Sequence, residues 1–238
     1  MKAPRRAAAL AILTWCAAAS AAGTHTGADP EEAVHAILRR MVSAPEATAR
    51  VSIERSDPFG GRPDREEGRL WYLPGRGLRY LSERKGGQDL VIDRERDAFL
   101  LYSASQRTIY RAPFARAPLQ IRRLIVEPER ILTKNLRSTP ERRVIGGTSR
   151  SGYRLRSVSL GDSIGDVSTW IAADPSSGLP RWIMVFSEAE SVLVELRGLT
   201  LLKSARPRDL ALSAPRGTPE EPLDPKELLD GADPGKSR

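Results

Sequence analysis

The chain has 238 residues, with 38 Lys and Arg against 30 Asp and Glu, and a formal net charge of +8. Hydrophobic residues make up 40% of it, which is enough for one larger domain with an ordinary apolar core. Cysteine occurs once, at Cys16, so a disulfide scaffold and a cysteine-based metal site are excluded.

The N-terminus has the organisation of a secretory signal peptide. Three basic residues among the first six precede an apolar run over 7–19, and a small-x-small cleavage motif ends at Ala21. The run is shorter than the roughly 20 residues that span a bilayer. We therefore predict a cleaved signal peptide over 1–21 and export to the periplasm. Because Trp15 precedes Cys16 where a lipidation site needs a small residue, no lipid anchor is predicted.

The exported part is predicted to begin with an amphipathic helix over Pro30–Ser43. Asp29 suits its N-cap, Pro30 suits the first helical position, and two acids follow at the positive end of the helix. Six short strands come next, separated by Gly, Pro and Asp as in an antiparallel meander. They are predicted over Ala49–Ser56, Glu67–Leu73, Gly77–Glu83, Gln88–Asp93, Ala98–Ser103 and Arg107–Arg111.

The middle of the chain interrupts this strand pattern. A short helix is predicted from the spacing of Leu119, Ile121, Leu124 and Ile125, and a second one is predicted to start near Pro128 and to include Leu136. Strands then resume over Arg142–Gly147, Tyr153–Leu160, Val167–Ala172, Pro180–Ser187 and Ser191–Leu202. Prolines recur after Leu212 and aromatic residues vanish, so 218–238 is predicted to be a disordered tail.

Patterns typical of catalysis or of metal binding are absent from the exported chain. His25 and His35 are its histidines, and neither has neighbours at the spacing of metal ligands or of a catalytic triad. Asp162 and Asp166 flank glycines in a predicted loop, where acids act as turn formers. We therefore predict no metal, no cofactor and no enzymatic activity.

Basic residues concentrate between Gln106 and Arg156, where thirteen Lys and Arg accompany three acids. In a cytosolic protein such an excess would suggest nucleic acid as a partner. Export argues against nucleic acid and favours an anionic lipid head group or an acidic partner surface. A solvated basic surface without a partner is the other interpretation.

Apolar residues occupy both faces of the predicted strands. A strand with one solvent-exposed face alternates apolar and polar residues. This alternation is missing in Leu70-Trp71-Tyr72-Leu73 and in Phe99-Leu100-Leu101-Tyr102. The predicted helices are too few to cover so many strands. A sheet curved partly around itself could hide both faces and leave an apolar cavity, whereas the simpler alternative is an ordinary core.

Several short motifs follow one another in a fixed order along the chain. They are Gly68-Arg69-Leu70-Trp71, Pro74, Leu78-Arg79-Tyr80, Leu90-Val91-Ile92-Asp93, Phe99-Leu100-Leu101-Tyr102, Gly178-Leu179-Pro180 and Leu212-Ser213-Ala214-Pro215-Arg216-Gly217. In order and spacing they resemble the periplasmic lipoprotein carriers LolA and LolB and related exported domains. The resemblance covers about residues 30–217.

This resemblance implies a mainly β domain over 22–217, an unclosed antiparallel half-barrel with a helical lid over an apolar cavity. The residues implied to bind ligand in the cavity are Leu70, Tyr72, Leu78, Tyr80, Ile92, Leu100 and Tyr102. Those implied to form the lid are Ile121, Leu124 and Ile125. The carriers have an arginine before the strand-ending proline that hydrogen-bonds the lid, and here Leu73 precedes Pro74 instead.

The function implied is that of an exported, non-enzymatic binder or carrier of acylated ligands, lipoprotein or lipid, in the cell envelope. Its partners would be acyl chains and membrane-anchored envelope proteins, and not nucleic acid. The alternative is an envelope-stress sensor or interaction module of the same fold that binds a protein partner, since a fold does not fix a function. An exported hydrolase is the third interpretation.

Overall fold

The computed structural model describes residues 29–56, 61–117, 119–127, 136–157, 168–186 and 191–223. The predicted signal peptide lies outside these residues. The helices are α1 (Pro30–Ser43) and α2 (Leu119–Val126), with 3₁₀ turns at Phe114–Arg116 and Pro207–Leu210. The strands are β1 (Glu46–Ser56), β2 (Asp64–Leu73), β3 (Gly77–Ser82), β4 (Gln88–Asp93), β5 (Ala98–Ser103), β6 (Thr108–Ala112), β7 (Leu136–Ile145), β8 (Thr148–Ser157), β9 (Ser168–Ala173), β10 (Pro180–Phe186), β11 (Ser191–Leu202) and β12 (Glu220–Pro222).

These twelve described strands form one sheet, in the order β12-β6-β5-β4-β3-β2-β1-β11-β10-β9-β8-β7. Neighbouring strands are antiparallel except β12, which runs parallel to β6. The long strands β1 and β11 pair from Glu46↔Leu202 to Ser56↔Ser191 and so join the first half of the sheet to the second. The mainly β fold and the unclosed antiparallel half-barrel predicted from the sequence are therefore confirmed.

Glycine allows the central pairing to change register. Between Thr48 and Arg50 of β1 the register with β11 shifts by one residue, and Gly198 lies there with φ +60°. A β-bulge of this kind needs a residue in the left-handed region, which glycine adopts without steric penalty. Because the extra residue lies on β11, the bulge brings Leu199 and Leu201 to the core face that Val194 and Leu196 share.

Most predicted elements agree with the structure, and one in the middle of the chain does not. Helix α1, β4, β5 and β11 have the predicted bounds. The prediction that a second short helix includes Leu136 is wrong, because Leu136 begins strand β7. The rest of that predicted helix, over 128–135, lies outside the described residues. The strand passes through Pro140, which is possible because β7 is at the edge of the sheet, where a missing backbone N–H need not break a ladder.

The domain also extends past its predicted end at Gly217. Residues 220–222 form β12 against β6, the Leu223 amide donates to the Arg111 carbonyl at 2.8 Å, and the Leu223 side chain is buried in the main core. The predicted start of a disordered tail at Thr218 is corrected accordingly, because one buried leucine and a short parallel ladder fix this segment. Residues 224–238 lie outside the described residues.

Both faces of the sheet are covered, as the strand sequences indicate. The inner face carries the main core, which α1 reaches with Val34 and Met41. On the outer face of the first half, Leu210 from the C-terminal segment packs with Leu73 and Val91. The outer face of the second half has its own aromatic cluster, whose buried members are Trp170, Ala172 and Trp182. No helix in the described part of the chain is long and apolar enough to cross a membrane.

Candidate functional site

Five of the predicted ligand residues lie together on the inner face of β2, β3 and β4. Register places Leu70 opposite Tyr80, Tyr72 opposite Leu78, and Leu78 opposite Ile92. Side chains at every second position of a strand point to one face, so these strands present their residues to the same cluster. None of the five is more than 3% exposed. The inner face is therefore closed over them in this structure.

The other two predicted ligand residues, Leu100 and Tyr102, are not brought to this cluster. Phe99 and Leu101 of β5 lie in the inner core, and Leu100 packs on the outer face near Val91. Tyr102 is two residues from Leu100 and shares its face. Because β5 is apolar at nearly every position, it shows no alternation from which the inward residues could be read.

Helices α1 and α2 cover the inner face. Ile125 of α2 is fully buried in the main core, while the side chains of Ile121 and Leu124 are outside the described part of the chain. Val34 and Met41 of α1 also lie in this core. The sequence predicted α1 as an amphipathic helix but did not assign it to the lid, although its apolar spacing was visible.

The apolar inner face continues across the central pairing into the second half of the sheet. Its members there were not among the predicted ligand residues. They are Val192, Val194 and Leu196 of β11, Ile183 of β10, Ile171 of β9 and Leu155 of β8. The floor between the halves is lined by Ala47 and Ala49 of β1. The candidate site is therefore one continuous apolar surface, to which β1 contributes Ala47 and Ala49 beside Val51 and Ile53.

Two tyrosine hydroxyls bring polar groups to this surface. The Tyr80 hydroxyl donates to Glu66 Oε1 at 3.1 Å, and the Tyr110 hydroxyl donates to Gln106 Oε1 at 3.0 Å. Burial, and then the Glu66 carboxylate, raise the pKa of Tyr80 above its ordinary value. Tyr80 is thus a neutral hydrogen-bond donor at physiological pH. Its ring adds apolar area while its hydroxyl is satisfied at the rim.

A polar contact fastens the C-terminal end of α1 to the turn between β9 and β10. Arg40 Nη1 donates to the Ser177 carbonyl at 2.9 Å. Asp174 orders that turn by accepting from the Ser176 and Ser177 amides at 2.9 and 3.2 Å, and Arg181 Nη1 lies 2.8 Å from its other oxygen. Arg40 therefore ties the lid to the rim from a position unrelated to Pro74.

The site contains apolar surface and neutral donors, which suits binding of an apolar ligand. Among the residues described, no three His, Cys, Asp or Glu side chains come together as a possible metal site. The inner-face residues named above include no histidine, and burial raises the pKa of the Tyr80 hydroxyl, which therefore stays protonated.

No protein-family model and no curated protein sequence matches the chain. Solved structures do match it at low identity. An uncharacterized conserved protein from Thermus thermophilus has a TM-score of 0.49 and 13% identity, over 79% of this chain and 98% of its own. A LolA superfamily protein from Nitrosomonas europaea has a TM-score of 0.38 and 10% identity, over 77% of this chain and 97% of its own. MucB in complex with MucA has a TM-score of 0.43 and 10% identity, over 78% of this chain and 60% of its own.

The second of these structures belongs to the LolA superfamily, the group that the sequence motifs resemble. At such identities and TM-scores the matches carry nothing about ligand or partner, which must be argued from this chain's own residues.

Proposed function

We propose that the protein is a periplasmic, non-enzymatic binder of acylated ligands, in which acyl chains of a lipoprotein or lipid lie against the inner face of the half-barrel. The observation that supports this most is the continuous apolar inner face, which runs across the central strand β1 and includes the small side chains of Ala47 and Ala49. Because Ala47 and Ala49 on the central strand are small, the space in front of them is filled by the lid or by a ligand.

Acyl chains are the ligands best matched to such a surface. Each buried methylene contributes about 0.8 kcal/mol, so a chain gains affinity from length without specific polar contacts. Since Leu70, Tyr72 and Tyr80 are buried here, ligand entry requires the lid to move away. Such a movement would break the hydrogen bond from Arg40 to the Ser177 carbonyl.

The substitution Ala49→Leu separates a binding surface from a close-packed core. If acyl chains occupy the centre of the inner face, a larger side chain there competes with them, and the variant should bind a fluorescent fatty-acid probe at least about tenfold more weakly. The lid can accommodate the added methyl groups, so the melting temperature should change little. If the inner face is a packed core, overpacking should instead destabilise the protein by about 1–3 kcal/mol.

The matched control is Ala172→Leu, which makes the same change in the aromatic cluster on the outer face. It should lower stability and leave probe affinity unchanged. The proposal is abandoned if the parent protein does not bind the probe, or if Ala49→Leu loses stability as Ala172→Leu does and retains binding. Ligand extraction and mass spectrometry of protein purified from the periplasm would identify the natural ligand.

A protein partner is the second candidate, and the open edge of the sheet favours it. Strand β7 pairs with β8 alone among the described strands, and Val144 on it is 70% exposed. Helix α1 packs against part of β7. An edge strand that keeps an exposed apolar side chain is a template for an added strand. Val144→Lys should abolish co-purification of a stoichiometric partner protein and leave the affinity for the fatty-acid probe unchanged. If the variant instead loses only its binding of the probe, this alternative is contradicted.

Export is part of the proposal and has its own test. The basic residues before the apolar run over 7–19 direct secretion, and cleavage is expected after Ala21 or Ala22. N-terminal sequencing of the mature protein should begin at Ala22 or Gly23 with no lipid attached. An intact Met1 or an acylated Cys16 contradicts this.

A further inference from the structure

Arginines converge on the outer face of the sheet, opposite the candidate acyl site. A shallow cavity of about 350 Å³ lies there over strands β1, β2 and β11. Its charged lining consists of Arg50, Arg69, Arg197 and Arg206, and the half-buried Trp71 forms an apolar wall. The residues come from three adjacent strands and from the C-terminal segment, so the cavity is assembled by the fold and not by one loop.

Strand register places three of these arginines in one row. Arg50 on β1 is directly opposite Arg197 on β11 and directly opposite Arg69 on β2. Like charges that face each other across strands are destabilising. A row of three is therefore unfavourable unless negative charge is supplied from elsewhere.

Carboxylates compensate for the outer members of the group and leave the central one uncompensated. Arg69 Nε is 2.7 Å from Glu83, and Arg197 Nη2 is 2.8 Å from Glu195. Arg50 is exposed and makes no hydrogen bond or ion pair with any residue that the structure describes. The unpaired guanidinium thus lies at the middle of the row.

The fourth arginine is held in place by a buried acid. The Arg206 amide donates to Glu46 Oε2 at 2.7 Å, and Arg206 Nη2 is 3.5 Å from Glu46 Oε1. Burial raises the pKa of Glu46, with the Arg206 amide acting in the opposite direction. Asp209 also lies 3.2 Å from Arg206 Nε. The C-terminal segment therefore closes the cavity with one more cation.

We propose that this cavity binds a phosphate group, free or as the head group of a lipid, with Arg50 as the central contact. The planar guanidinium donates two parallel hydrogen bonds to a phosphate, and Arg50 is the arginine of this group that has no carboxylate partner among the described residues. A bound phosphate would also relieve the repulsion within the row. Trp71 offers an apolar surface to the part of the ligand that carries the phosphate. The side chains of Arg50, Arg69 and Trp71 lie on the other face of the sheet from the acyl site.

The test uses the mature chain and two variants that remove one positive charge each. Arg50→Gln removes the central contact, and Arg142→Gln removes an exposed arginine on β7 that makes no ion pair within the described residues. Inorganic phosphate is titrated calorimetrically at constant ionic strength. Arg50→Gln should weaken phosphate binding at least about tenfold, as expected for one charge-assisted contact. Arg142→Gln should bind as the parent does.

Thermal unfolding in phosphate-free buffer gives an independent reading of the same row. Arg50→Gln should melt no lower than the parent, because it relieves repulsion, and it should lose the stabilisation that phosphate gives the parent. A lower melting temperature for Arg50→Gln, equal phosphate affinity in Arg50→Gln and parent, or an equal loss in Arg142→Gln would each overturn the proposal.

Vesicles distinguish the two sources of phosphate. Binding to phosphatidylglycerol vesicles and not to phosphatidylcholine vesicles, lost in Arg50→Gln and kept in Arg142→Gln, assigns the site to a lipid head group. Binding of inorganic phosphate without vesicle binding assigns it to a soluble phosphate. If the protein binds neither inorganic phosphate nor phosphatidylglycerol vesicles, the proposal is overturned.

Discussion

Arg79 and Asp89 form a two-point ion pair on the outer face of the sheet. Arg79 Nε donates to Asp89 Oδ1 at 2.9 Å and Nη2 to Oδ2 at 2.8 Å, with side chains 9% and 1% exposed. The Ser213 amide donates to Asp89 Oδ2 at 2.7 Å, and Arg79 Nη1 donates to the Asp209 carbonyl at 3.3 Å. Trp71 lies beneath the guanidinium, 5.0 Å away. The pair thus fastens the C-terminal segment to β3 and β4.

Asp89→Ala should lower the free energy of unfolding by about 3–5 kcal/mol, because it leaves the buried Arg79 charge without its partner. Urea denaturation measures the loss. Glu95→Ala is the control, since Glu95 pairs with Arg76 at 2.7 Å but is 61% exposed. Exposed pairs contribute about 0–1 kcal/mol. Equal losses in the two variants would show that Asp89 does not anchor the segment.

Local patterns predicted the strands, while remote contacts decided what covers them. The bounds of β4 and β5 were readable because turn residues flank short apolar runs. Which residues of β5 point inward was not readable, since Phe99-Leu100-Leu101 carries no alternation. The cover of the outer face was missed for another reason. Arg79 and Ser213 lie far apart in sequence, and neither signals the other.

Site residues could be predicted where consecutive hairpins position them, and could not be predicted where a long-range strand pairing does. Leu70, Tyr72, Leu78, Tyr80 and Ile92 share a face because two consecutive hairpins fix their register. The inner residues of β8 to β11 reach the same core only through the pairing of β1 with β11. That long-range pairing depends on the whole sheet, and no local sequence pattern predicts it. The arginine row on the outer face depends on the same pairing.

Truncation tests the corrected end of the domain. A chain that ends after Gly217 loses β12 and the buried Leu223, and it should be less stable than a chain that ends after Leu223 by about 2–3 kcal/mol. Thermal and urea unfolding of the two shortened proteins measure this difference. Identical melting temperatures would mean that the parallel ladder with β6 adds nothing to stability.

Gly68 provides room for the ring of Tyr80. A Cβ at this position would lie 2.5 Å from Tyr80 Cε2 and 2.7 Å from the Leu81 carbonyl oxygen. Gly68→Ala should therefore lower stability by about 1–3 kcal/mol. In a double-mutant cycle, Gly68→Ala should be less harmful when Tyr80 is replaced by leucine, because the ring contact is gone. If the stability losses of the two substitutions are additive, the strain in Gly68→Ala comes from the contact with the Leu81 carbonyl oxygen and not from the Tyr80 ring.

The turn between β9 and β10 gives stability a dependence on pH through Asp174. Hydrogen bonds from the Ser176 hydroxyl and the Arg181 guanidinium lower the pKa of Asp174 below its ordinary value. A carboxyl group whose pKa is lowered on folding contributes stability above its unfolded pKa of about 3.9, and this contribution is lost as the pH falls through the folded-state pKa. The turn that holds the end of α1 should therefore weaken in acid.

Asp174→Asn keeps an oxygen for the turn amides and removes the charge that pairs with Arg181. At about pH 7 it should lower the free energy of unfolding by about 1 kcal/mol, a value discounted for partial exposure. The difference from the parent should shrink as the pH falls below about 4, because the parent then loses the same charge. In an Arg181→Gln background the substitution should matter less at every pH. The prediction is contradicted if the difference in free energy of unfolding stays constant down to about pH 2, or if Arg181→Gln does not change it. Either result would mean that the charge of Asp174 does not stabilise the turn.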